Sequence, residues 1–148
     1  MTISTKGEYA IRALIEIALR QDGGLVLVKD VAAAQGISEK YLERIFSSLK
    51  AAGFVKSRRG CKGGYVLARG TNQITTLDVI KTMEGSLAPL ECVEAPSTCK
   101  RSGSCAAHKL WIKLNTAIKE TLGAVTLADL VEEQSRLSMQ NQPILFHI

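Results

Sequence analysis

Between Cys92 and His108 the chain reads Cys92-Val-Glu-Ala-Pro-Ser-Thr-Cys99-Lys-Arg-Ser-Gly-Ser-Cys105-Ala-Ala-His108, which puts three of its four cysteines and one of its two histidines within 17 residues. Gaps of six, five and two residues separate these donors. Pro96, Gly103 and the small hydroxyl residues between them let the backbone curl round a centre and make a poor helix or strand. Beyond Cys105 the pattern turns helical, so Cys105 and His108, three apart, share one face of a first helical turn. Three thiolates and an imidazole form a soft-to-borderline donor set. Structural zinc takes ligands in tight pairs two to four residues apart, whereas gaps of six and five enclose a wider centre, so the spacing favours an iron-sulfur cluster over zinc. Disulfides and unligated thiols are the remaining alternatives. A disulfide is disfavoured because nothing marks the chain as secreted.

A chain of 148 residues, 46% of them hydrophobic, suffices for one compact domain or for a small domain with an extended oligomerisation element. The N-terminus lacks the basic lead and apolar core of a signal peptide, and no run of 18 apolar residues occurs. A soluble, cytoplasmic protein without a membrane partner is expected. The net charge of +5 is unevenly spread: residues 1–70 hold twelve Lys or Arg against six Asp or Glu (+6), and residues 71–148 hold seven against eight (−1). That asymmetry points the N-terminal half at a polyanion.

Helices and a hairpin must position these charges. Ser4 or Thr5 caps a helix over 4–20 in which Ala10, Ala13, Leu14, Ile17 and Ala18 form one apolar stripe and Ile11, Ile15 and Leu19 a second. A helix apolar over so much of its circumference suits burial between a domain core and a dimer partner. After Gln21-Asp-Gly-Gly24, Leu25 to Val28 reads as strand-like, Asp30 to Gln35 as a short helix closed by Gly36, and Ser38 as the cap of a longer helix with Leu42, Ile45, Phe46 and Leu49 inward. Two helices joined through a short glycine-containing turn match a helix-turn-helix, whose second helix enters the major groove. Ser38, Glu39, Lys40, Tyr41, Glu43 and Arg44 are its candidate DNA contacts.

Phe54 to Ser57 and Tyr65 to Ala68 alternate as two strands around a cationic, glycine-rich tip, Arg58-Arg-Gly-Cys-Lys-Gly-Gly64. Such a hairpin is a wing: glycine permits close approach to a phosphate, which Arg or Lys neutralises. Arg58, Arg59, Gly60, Lys62, Gly63, Gly64 and Tyr65 complete the DNA-binding set. A nucleotide phosphate loop is disfavoured, because the glycines lie between strands with no helix N-terminus behind them. Cys61 in the tip reads as a solvent-exposed bystander.

Thr75-Thr-Leu-Asp78 opens a helix to about Met83, with Leu77, Ile80 and Met83 facing the winged domain. A helix from Cys105 to about Leu122, broken by Gly123, carries Leu110, Trp111, Leu114, Ile118 and Leu122, an apolar face too long to pack wholly on a winged domain. Thr126-x-x-Asp129 caps a last helix with Leu127, Leu130, Val131 and Leu137 on one side, and a loose tail is expected from Ser138. The fold class is therefore mainly α with a small β-wing: a winged helix-turn-helix domain (1–85), a ligand loop (86–105), a dimerisation helix and C-terminal helix (105–138) and a flexible tail (139–148).

Tyr9-Ala-x-Arg12-Ala-Leu, Tyr41-Leu-Glu-x-Ile45, Ala52-Gly-Phe-Val55 and above all Arg59-Gly-x-x-Gly-Gly-Tyr-x-Leu67 resemble the bacterial regulator family that includes the iron-sulfur regulator IscR, the nitric-oxide sensor NsrR, the iron regulator RirA and the cysteine-metabolism repressor CymR. The resemblance runs to about residue 138. It implies that Cys92, Cys99, Cys105 and His108 hold a [2Fe-2S] cluster as in the IscR pattern, whose first gap is usually five residues. NsrR and RirA types imply a [4Fe-4S] cluster and a ligand near the chain start, for which Glu8 is the reserve candidate. CymR-like members lack the cysteine set. The resemblance further implies a homodimeric repressor on a pseudo-palindromic double-stranded operator, loaded by the iron-sulfur assembly machinery and controlling cluster-assembly genes. An electron carrier would share the ligand loop but needs no basic wing. An enzyme with Cys61 or Cys105 as nucleophile lacks an oriented base, His147 being in the tail.

Overall fold

The computed structural model describes residues 2–59 and 63–142; Gly60, Cys61 and Lys62 at the wing tip, the apolar stretch from Pro143 and His147 lie outside the described residues. Helix α1 (Thr5–Arg20) starts where Ser4 accepts a hydrogen bond from the Gly7 N–H. Ala10, Ala13, Leu14 and Ile17 of α1 are buried in the main core, which α1 joins to every major element of the N-terminal half. Its second stripe is covered partly from within. Ile11 is partly buried against the core that also holds Leu127 of the C-terminal helix of the same chain.

Residues 25–28 form no full strand; Val26 makes a single antiparallel bridge to Tyr65, and α2 (Val28–Gln35) begins two residues earlier than expected. Gly36 ends α2 with φ of +63°, a left-handed conformation that a Cβ would strain, so the chain can turn within three residues. Buried Ile37 anchors that turn, and Ser38 caps α3 (Glu39–Ala51) by accepting from the Tyr41 N–H at 3.3 Å. Leu42, Ile45, Phe46 and Leu49 are the buried face of α3, as the spacing predicts.

Strands β1 (Val55–Arg58) and β2 (Gly64–Leu67) pair antiparallel with Val55 opposite Leu67 and Arg58 opposite Gly64, each displaced by one residue from the sequence expectation. Val26 accepts from and donates to Tyr65 at 2.8 and 2.9 Å, which lays segment 25–26 along β2. That approach needs a glycine next door. A Cβ on Gly64 would sit 2.8 Å from the Val26 carbonyl oxygen.

Helix α4 (Thr76–Glu84) is capped by Thr75, which accepts from the Asp78 N–H at 3.1 Å. Val79, Ile80 and Met83 face the core, whereas Leu77, expected there, is turned to Gly123. The cysteine stretch is less irregular than its prolines and glycines imply: α5 (Glu91–Glu94) is a short helix carrying Cys92, followed by 3-10 turns at Pro96–Thr98 and Ser102–Ser104. Helix α6 (Ala106–Ala124) runs through Gly123 instead of breaking there. It stops at Val125 because the backbone is claimed by other partners: Thr76 N–H donates to the Val125 carbonyl and Leu127 N–H to the Ile74 carbonyl. Helix α7 (Leu127–Gln140) extends beyond the expected end at Ser138; the hydroxyls of Ser135 and Ser138 bond back to carbonyls one turn earlier, and Glu133 pairs with Arg136. Leu127 is buried in the same core as Phe46 and Leu14. No helix among the described residues is long and apolar enough to cross a membrane.

Gly64→Ala is expected to push the wing off Val26 and to cost about 1–3 kcal/mol in urea unfolding, since the atom it meets is backbone. The Asp129 carboxylate is held below its ordinary range by the hydrogen bond from the Thr126 N–H and then by the Thr126 hydroxyl. A depressed carboxyl contributes stability above its unfolded value and loses it as pH falls through the folded one. Asp129→Asn should therefore flatten the acid side of the melting-temperature profile while leaving the neutral slope unchanged.

Candidate functional site

Lys40, Glu43 and Arg44 lie on the exposed face of α3, with Ser38 and Glu39 exposed at its first turn. Ser47 continues the same face, at helical spacing from Glu43 and Arg44. The sequence reading missed it although the spacing alone would have found it. Arg58 and Arg59 are exposed at the base of the wing tip and Gly63 is half-buried, while Gly60 and Lys62 lie outside the described residues. Among the described residues no ion pair engages Lys40, Arg44, Arg58 or Arg59, so their charge is presented outward.

Three of the expected DNA contacts, Tyr41, Gly64 and Tyr65, are half-buried and packed against neighbouring elements. The Tyr41 ring lies edge-on to Tyr9 with centroids 5.9 Å apart, and its hydroxyl is 3.4 Å from that of Thr5, which fastens α3 to α1. Tyr65 packs its ring 4.6 Å from Phe46, joining β2 to α3, and Gly64 abuts Val26. An aromatic body beside an apolar stripe is drawn toward the core, and only its polar tip seeks an edge. These residues brace α3 and β2 against their neighbours.

A second brace holds the helix-turn-helix from behind. Arg12 of α1 donates through Nε to the side-chain oxygen of Gln35 (2.7 Å) and through Nη2 to the Gln35 carbonyl (2.8 Å), satisfying a carbonyl at the C-terminus of α2. Gln35 in turn donates to Glu16, which pairs with Arg20 at 2.7 Å. Glu8, the reserve ligand candidate, is 3.3 Å from the Arg12 guanidinium.

Cys92 in α5, Cys99 at the end of the first 3-10 turn and Cys105 at the start of α6 are half-buried free thiols. His108 is only 8% exposed, and its Nδ1 is 3.4 Å from the Cys92 sulfur. The structure thus joins two of the four expected donors. Among the described residues no three His, Cys, Asp or Glu side chains converge as a single ion would require. The loop itself is wound up by local bonds, with the Ser102 hydroxyl donating to the Pro96 carbonyl at 2.9 Å and its N–H to the Cys99 carbonyl at 3.2 Å.

The chain is 42% identical to the HTH-type transcriptional regulator CymR of Bacillus subtilis (strain 168) over 130 residues, covering 88% of this chain and 89% of that protein. It is 35% identical to the HTH-type transcriptional regulator IscR of Xenorhabdus nematophila over 142 residues, covering 96% and 86%. The solved structure of CymR, described as the global cysteine regulator of B. subtilis, matches with a TM-score of 0.77 at 39% identity, over 90% of this chain and 98% of that one. The fold that carries the exposed helix and the wing is thus shared with proteins named as regulators of transcription. With the Rrf2 pattern, described as iron-dependent transcriptional regulator, matching residues 3–133, the chain belongs to the Rrf2 family and is a DNA-binding transcriptional regulator, not an enzyme.

Proposed function

We propose that this regulator is a homodimeric repressor whose grip on a pseudo-palindromic operator depends on an iron-sulfur cluster, [2Fe-2S] in the first instance, held by Cys92, Cys99, Cys105 and His108. The observation that carries the reading is the buried imidazole of His108 against the Cys92 thiol. A buried histidine is ordinarily satisfied by a carbonyl or carboxylate. Here its described partner is a thiol from another helix, 16 residues away. Three thiols and an imidazole on a loop of turns fit the donor chemistry of such a cluster better than that of a mononuclear ion. When bound, the cluster supplies a centre whose occupancy follows iron-sulfur supply, with the assembly machinery as donor and the assembly genes as targets.

The protein supplies the rest. Cys92 and His108 draw α5 and the start of α6 together, so the order of residues 86–105 bears on how α6 sits against the winged part, 1–85. Residues 105–138 would pair with their twin: Leu110 (56% exposed), Ile112 and Leu114 are uncovered on α6, and Ile3 with Ala117, Ile118, Thr121 and Leu122 lines an open apolar cavity of about 330 Å³. Lys40, Glu43 and Arg44, with Ser38 and Glu39, would face base edges, and Arg58, Arg59, Gly60, Lys62 and Gly63 the phosphates; Tyr41, Gly64 and Tyr65 position them. A second reading is favoured by the 42% identity to CymR: a repressor of cysteine metabolism that uses no cluster. The nitric-oxide and iron regulator types, with [4Fe-4S], are the third.

Anaerobic reconstitution with iron and sulfide should give a two-iron Mössbauer signature altered by His108→Ala. A four-iron spectrum indifferent to that substitution favours the third reading. Operator binding unchanged with Ser at 92, 99 and 105, together with no spectrum at all, favours the second. On the DNA side, Arg59→Ala should weaken binding evenly across sequences and reduce the log–log salt slope by about 1. Arg44→Ala should instead relax preference at one operator position, a loss of about 1–3 kcal/mol in competition assays.

A further inference from the structure

A second cavity, of about 260 Å³, lies between α4, α5 and α6, lined by Lys81, Ser86, Val93, Glu94, Asn115 and Lys119. Its volume falls just under the ~300–1,000 Å³ of sites for drug-sized ligands, which suits a small metabolite. Its polar inventory is mixed. Lys81 from α4 and Lys119 from α6 bring two ammonium groups and Glu94 a carboxylate, and among the described residues none of the three is in an ion pair. Asn115 stands one turn before Lys119 on the half-buried side of α6, between Trp111 and Ile118. Its side-chain oxygen is shut off from solvent with no hydrogen-bond partner. A buried acceptor without a donor is costly, and an apolar residue would extend the Trp111–Ile118 face without that cost. Asn115 lines the cavity, and the terminal torsion of asparagine is soft, so its amide is free to turn toward an occupant.

We propose that this cavity binds a small α-amino acid or an aminocarboxylate of similar size. Lys81 and Lys119 take the carboxylate, Glu94 and the Asn115 oxygen take the ammonium group, and Leu87, Ala88 and Val93 line the space left for the side chain. Because α5 also carries Cys92, an occupant would touch the cysteine loop directly and give the regulator a small-molecule input beside the cluster.

The test is isothermal titration of the full, metal-free chain, so that it stands or falls apart from the cluster reading. Each protein amino acid is titrated beside its matching keto acid, its decarboxylated amine and inorganic phosphate. At least one amino acid should bind saturably and more tightly than its keto acid and its amine. Lys119→Gln and Glu94→Gln should each weaken that binding about 10- to 100-fold, and Asn115→Leu should abolish it. Both charged residues are exposed, so the glutamine variants leave the core intact and decide the matter even if Asn115→Leu fails to fold. Three results would each overturn the proposal: no amino acid binds, keto acid or phosphate binds as tightly, or the glutamine variants bind like the wild type.

Discussion

The corner where α6 turns into α7 holds the molecule together. The Thr76 hydroxyl donates to the Leu122 carbonyl, its N–H to the Val125 carbonyl at 2.9 Å, and the Leu127 N–H to the Ile74 carbonyl at 2.8 Å, with Thr75 bridged to Thr126 beside them. The last carbonyls of any helix lack partners within it. Here the start of α4 supplies one, in a setting where Thr76 is itself buried. Each such bond adds only about 0.5–1.5 kcal/mol net, but an orphaned partner in the same place costs about 1–3 kcal/mol, so the corner is stable as a set. It follows that α6, 19 residues and about 28 Å long, is anchored at its C-terminal end, and that α7 returns along α1 to bury Leu127.

With one end of α6 tied to α4, the other end is where change is possible. His108 rests toward α5, and the connection from α4 to α5 and on to α6 is a run of short turns. From α4 the contacts continue: Ser4 donates to Glu84 through its N–H (3.0 Å) and hydroxyl (2.7 Å), joining the C-terminus of α4 to the N-terminus of α1. From α1, Arg12 grips the end of α2. Under the proposed reading, ligand binding at the loop biases this frame, and a coupling of about 1–3 kcal/mol is enough to alter operator affinity 5- to 150-fold.

The sequence was most legible where chemistry is local. Ser4, Ser38, Thr75 and Thr126 cap the helices predicted for them, because a hydroxyl accepting from an N–H three residues on is a short-range event. The helix-turn-helix and wing were legible for the same reason, glycine and alternation marking the turns. Long-range packing hid the rest. Nothing local says that Tyr41 would turn to Tyr9, that Tyr65 would stack on Phe46, or that Gly123 would stay helical beside Leu77. The four-donor spacing was plain in the sequence, yet spacing cannot tell which donors meet; among the described residues Cys92 and His108 are the pair joined by a hydrogen bond. Asn115 was invisible in the sequence because an asparagine on a helix is ordinarily solvated.

The Phe46–Tyr65 contact has a consequence for how such a head lets go of DNA. Phe46 belongs to the same helix as Lys40, Glu43 and Arg44, and Tyr65 belongs to the strand that leads out of the wing tip. Two aromatic rings 4.6 Å apart, closed off by the Val26 bridge, cannot slide without opening a void in a core packed at crystal density. Helix α3 and the β1–β2 hairpin therefore tilt as one body. Under the proposed reading, a small rotation imposed through α1 would move the base contacts of α3 and the phosphate contacts of the wing out of register together, so that specific and nonspecific affinity fall in step.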